Sequence, residues 1–103
     1  MKTANIQILQ SNGQARLEAV QVRKTLEYAG EAFFIHHGFY GKTWTVSHYR
    51  TGFAAVKNAR TLKEAEEKFI LVMEQQKKNL QTAIERVMNQ YGTANELPAE
   101  DRK

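Results

Sequence analysis

One stretch constrains this 103-residue chain more than any other: the 30 residues from Leu62 to Tyr91 contain neither glycine nor proline. Thr61-Leu62-Lys63-Glu64 opens it as a capping box, and Gly92 follows as a natural C-terminal stop. The pattern predicts one long C-terminal helix over about 61–91, about 45 Å long at about 1.5 Å per residue. Its apolar stripe runs through Leu62, Ala65, Phe69, Val72 and Met73, and resumes at Leu80, Ala83, Ile84, Val87, Met88 and Tyr91. Between the two runs lies Glu74-Gln75-Gln76-Lys77-Lys78-Asn79, with no apolar side chain. The first half is long enough to cover a small sheet. The second half would project with its own apolar face, and such a face wants a partner. A homodimer through Leu80, Ile84, Val87, Met88 and Tyr91 is the preferred expectation. The alternative is a helix that breaks near Gln76 and folds back.

Upstream, three segments carry strand signals. Ala32–His37 is aromatic and β-branched, Thr43–Tyr49 alternates, and Phe53–Val56 follows. Glycines at 38, 41 and 52 supply the turns between them. Alternation puts Trp44, Val46 and His48 on one face and Thr43, Thr45, Ser47 and Tyr49 on the other. Residues 12–30 read two ways. Asn12-Gly13 between Ile6–Leu9 and Arg16–Val22 is a hairpin signal. Ala15, Ala19, Val22, Leu26 and Ala29 also fall at helical spacing. The strand reading is preferred, because alternation at Val20, Val22 and Lys24 runs into a turn at Tyr28–Glu31. The expectation is therefore a single α+β domain over 1–92: an antiparallel meander of three to five strands over about 5–57, one long C-terminal helix, and a flexible tail at 93–103.

Charge and aromatics are unevenly spread. Residues 1–60 hold eight basic and three acidic residues, net +5, whereas 61–103 are net −1. Seven of the ten aromatics lie between Phe33 and Phe53. Basic groups interleaved with aromatics suit phosphates and stacked bases. The expected function is a nucleic-acid-binding accessory protein, not an enzyme, contacting DNA or RNA through His36, Tyr40, Lys42, Tyr49, Arg50, Lys57 and Arg60. The alternative is a protein-interaction module or small inhibitor that blocks another protein, with the same cluster as its hot spot.

The residue inventory argues against several chemistries. There is no cysteine, so neither a disulfide scaffold nor a cysteine zinc site is available. The only aspartate is Asp101 and the three strand segments over 31–57 hold a single acid, Glu31, which leaves no carboxylate pair. Ser47 and His48 are neighbours on a strand and face opposite sides, so they cannot act as nucleophile and base. His36 and His37 likewise point apart, and no metal or other cofactor is expected. No apolar run reaches the length of a signal peptide core or a membrane span, so the expectation is a cytoplasmic chain without membrane contact.

The run Trp44-Thr45-Val46-Ser47-His48-Tyr49-Arg50-Thr51-Gly52, followed by Thr61-Leu62-Lys63-Glu64-Ala65, resembles the strand–turn–strand–helix core of small phage and mobile-element proteins. Strands followed by a long helix are also similar to the single-strand-binding transcription-coactivator and whirly folds. No residue roles carry over from them.

Overall fold

A computed structural model describes residues 3–38 and 42–95. Among these residues, six strands precede two helices: β1 (Thr3–Leu9), β2 (Ala15–Gln21), β3 (Lys24–Tyr28), β4 (Glu31–His37), β5 (Trp44–His48), β6 (Ala54–Ala59), α1 (Leu62–Gln76) and α2 (Leu80–Tyr91). The architecture is α+β with antiparallel strands, in two sheets rather than one. β1 and β2 form a separate hairpin, and β3-β4-β5-β6 form a four-stranded meander.

The strand reading of residues 12–30 holds, and turn chemistry explains it. Gly13 takes φ +83° in the β1–β2 loop, and the Asn12 side chain accepts from the Gln14 amide at 3.0 Å. β1 then pairs with β2 from Thr3↔Gln21 to Leu9↔Ala15. Helical spacing in this segment lost because that ladder satisfies the backbone while setting Ile6, Ile8 and Val20 on one face.

The meander has two buried faces. Phe33 and Ile35 of β4 stand opposite His48 and Val46 of β5. Phe33, Ile35 and Val46 join Val56, Ala59, Ala65, Phe69, Met73, Leu80 and Ile84 in the main core. The Phe33 and Phe69 rings meet edge to face at 4.8 Å. On the other face, Phe34, His36, Thr45 and Ser47 are also buried, beneath the β1–β2 hairpin.

The single long helix is corrected by the structure. Thr61 caps α1 as expected, accepting from the Glu64 amide at 3.0 Å. The Glu64 carboxylate reaches one residue further back, to the Arg60 amide at 2.6 Å. α1 ends at Gln76, and Asn79 opens α2 with ψ near −1°. A straight 30-residue helix of about 45 Å would overrun a molecule whose longest axis is 32 Å. The exposed run Glu74–Asn79 lets the chain turn there, and both apolar stripes then reach one core. Leu80 and Ile84 are buried, Met88 packs against the same core, and the Tyr91 ring lies 5.3 Å from that of Phe53. Val87 is half-buried. The chain's own core thus takes up Leu80 and Ile84 of the stripe that argued for a dimer, while Val87, Met88 and Tyr91 stay partly exposed.

The described chain also runs past α2 into the segment expected to be a flexible tail. Ala94 is buried, and its amide donates to Arg50 O at 2.7 Å. The Asn95 side chain accepts from the Asn5 amide at 2.9 Å and donates to the Asn5 and Tyr49 carbonyls. Residues 93–95 thus belong to the domain. The rest of the expected tail, 96–103, lies outside the described residues.

Candidate functional site

A cleft of about 570 Å³ opens between the hairpin and the meander. Its roof carries Ile6, Ile8 and Val20, and Phe53 lines the end nearest the β5–β6 turn. The floor carries His36, Thr45 and Ser47, and Lys57 and Glu18 stand at the rim. An apolar body with a few convergent polar groups is the ordinary composition of a ligand site.

The floor is ordered by hydrogen bonds. Ser47 Oγ lies 2.8 Å from His36 Nε2, and His36 Nδ1 lies 2.8 Å from the His37 carbonyl oxygen. A carbonyl only accepts, so Nδ1 carries the proton, and the neutral ring leaves Nε2 to accept the Ser47 O–H. Burial, the largest influence, holds the His36 pKa below its ordinary 6.5, outweighing the His37 carbonyl. The pair sits diagonally across the ladder, since His36 stands opposite Thr45 and Phe34 opposite Ser47.

A second polar cluster lies on the other face of β5. His48 Nε2 donates to Glu31 Oε1 at 2.7 Å, and its Nδ1 meets the Thr51 hydroxyl at 3.0 Å. Arg50 holds both oxygens of Glu31, at 3.2 and 3.1 Å. Burial works to raise the Glu31 carboxyl, but the His48 hydrogen bond and the Arg50 charge outweigh it and hold it below 4.5. Burial keeps His48 below 6.5 despite the carboxylate beside it. Thr51 Oγ1 also accepts from the Phe53 amide, so this cluster ties the β5–β6 turn to the start of β4. Glu31→Ala removes the carboxylate from both partners and is expected to cost about 2 kcal/mol, read by urea unfolding.

The seven candidate binding residues do not form one patch. Lys42 and Arg50 lie beyond opposite ends of β5, whose five residues span roughly 15 Å. Arg50 is committed to Glu31, and the Tyr49 ring packs on Phe34 at 6.2 Å. His36 is only 3% exposed, so it forms a cleft floor rather than the centre of an open surface. Lys42, Lys57 and Arg60 are exposed at one end of the sheet, where Trp44 pairs with Ala59. Tyr40 lies outside the described residues. The aromatics expected to stack bases are mostly internal: Phe33 and Phe34 are buried, and Trp44 is half-buried with His37 stacked on it at 3.9 Å.

Ser47 and His48 do face opposite sides of β5, as expected. The Ser47–His36 pair is what sequence reasoning missed. Strand alternation placed Thr45 and Ser47 on one face; the cross-strand register that sets His36 beside Ser47 was not legible.

Among the described residues, no group of three or more His, Cys, Asp or Glu side chains could hold a metal ion, and no helix is long and apolar enough to cross a membrane. No family model, curated protein or solved structure matches the chain, so the functional reading rests on the geometry of the site.

Proposed function

We propose that the chain is a nucleic-acid-binding protein that works through the basic end of the cleft. The observation that supports this is the position of Lys57. It is exposed and lines the cleft, and strand pairing puts Lys42 and Arg60 at the same end. Among the described residues, neither Lys42 nor Lys57 has a carboxylate within 4.0 Å. Cations of this kind take phosphates, and a cleft with an apolar roof and a hydroxyl floor accommodates an unpaired base. A duplex offers no such base, so single strands are preferred.

Labelled single-stranded oligonucleotides, titrated by fluorescence anisotropy, test the reading. Three phosphate contacts predict an affinity loss of about 20-fold between 50 and 200 mM salt. Lys42→Glu with Lys57→Glu is expected to abolish binding while the thermal midpoint stays unchanged. Absence of binding at 50 mM salt counts against the proposal. A second reading, a protein-interaction module, is favoured by Leu9 and Leu17. They form an exposed diagonal pair on the hairpin, 53% and 52% accessible.

A further inference from the structure

We propose that Ser47 and His36 form a nucleophile–base pair that takes the acyl group of a small carboxylic ester held in the cleft. The proposal uses the cleft of the nucleic-acid reading but does not depend on that reading. It is an activity the residue inventory alone argued against.

Three observations carry it. The Ser47 hydroxyl is within 2.8 Å of a nitrogen whose only role in that tautomer is to accept its proton. His36 is in turn oriented by a third group, the His37 carbonyl at 2.8 Å from Nδ1. This is the nucleophile–base–orienter arrangement, with a backbone carbonyl as the orienter. Both side chains line a cleft of about 570 Å³ whose Ile6, Ile8 and Val20 roof suits an acyl chain. Thr45 shares the floor and brings a hydroxyl donor to the position of an ester's carbonyl oxygen. The neutral state imposed on His36 by burial is the one a base needs.

The chemistry balances within the site. Ser47 Oγ forms a bond to the acyl carbon as its proton passes to His36 Nε2. The tetrahedral adduct collapses, the bond to the leaving alkoxide breaks, and that alkoxide takes the proton from His36. Water, deprotonated by the same nitrogen, then attacks the acyl-Ser47 ester and returns the free serine and a carboxylic acid. No oxidant, reductant or metal is required.

A fluorophosphonate probe reads the first step directly, because Oγ displaces fluoride from phosphorus and the adduct is stable. The chain contains two serines, and Ser11, exposed in the β1–β2 loop, supplies the internal control. The expected result on the intact chain is a single adduct by mass, mapped by peptide digestion to Ser47 and competed by p-nitrophenyl butyrate. Ser47→Ala is expected to lose it, Ser11→Ala to keep it, and His36→Gln to slow labelling on the order of 100-fold. No adduct at Ser47, labelling of Ser11 at the same rate, or His36→Gln labelling at the original rate would each overturn the proposal. The map on the unaltered chain decides even if a variant folds poorly.

Discussion

Gly52→Ala is expected to lower the free energy of unfolding by about 2–4 kcal/mol, the sum of a left-handed backbone penalty and overpacking. Gly52 has φ +73°, and an added Cβ would stand 2.7 Å from the Ala94 Cβ and 2.9 Å from the Gln7 backbone nitrogen. Neither neighbour is the far end of a flexible side chain, so backbone must move. Gly52 O is also the acceptor for the Gln7 amide at 2.9 Å. The displacement would therefore loosen the hairpin that roofs the cleft. Gly30→Ala is the matching control. Its φ is +81°, but nothing lies within 4 Å of the new Cβ. It is expected to cost about 1 kcal/mol, from backbone conformation alone. Urea unfolding of both variants checks the difference, and faster hydrogen exchange at the Gln7 amide would locate it. Equal losses at the two positions would mean that crowding at Gly52 relaxes freely.

The second large effect is acid destabilisation that begins near pH 6.5. His36 and His48 are 3% and 5% exposed, and burial holds both below their ordinary 6.5. The unfolded chain therefore takes up protons first as pH falls. Stability is fully present above 6.5 and declines until the folded-state values are reached. With two such groups the slope reaches at most about 2.7 kcal/mol per pH unit. Glu31 acts the same way in a lower window, because its carboxyl is held below 4.5. Its contribution is complete above that value and lost as pH falls past it. Urea midpoints between pH 8 and pH 4 are expected to show a two-stage decline. A flat profile from pH 7 to pH 5 would contradict the neutral histidines.

Local rules carried the meander and failed where two distant segments meet. The alternation of Thr43–Tyr49 and the glycine-bearing turns placed β4, β5 and β6 correctly, and Thr61 marked the helix start. The run Glu74–Asn79 was visible too, but a stretch without apolar residues is compatible with an exposed helical turn or a break. Only the size of the sheet beneath distinguishes them. The assignment of His36 to an open face failed for a long-range reason. Nothing between Ala32 and Val56 announces that the β1–β2 hairpin will cover that face. A signal existed in Ile6, Ile8 and Val20, whose shared apolar side requires a surface to cover. Followed through, it would have buried Phe34, His36, Thr45 and Ser47 together. The Ser47–His36 contact also needed the strand register, which no local pattern encodes.

The bonds from Asn95 to Asn5 join residues 90 positions apart. They close the described chain into a circuit in which β1 is latched by residues beyond α2. During synthesis the β1–β2 hairpin emerges before the meander and both helices, and its latch follows only after α2. The meander can assemble before then, but its hydroxyl-bearing side stays wet. Docking of the hairpin is thus expected as a late, separate kinetic phase, slowed by the long loop it must close.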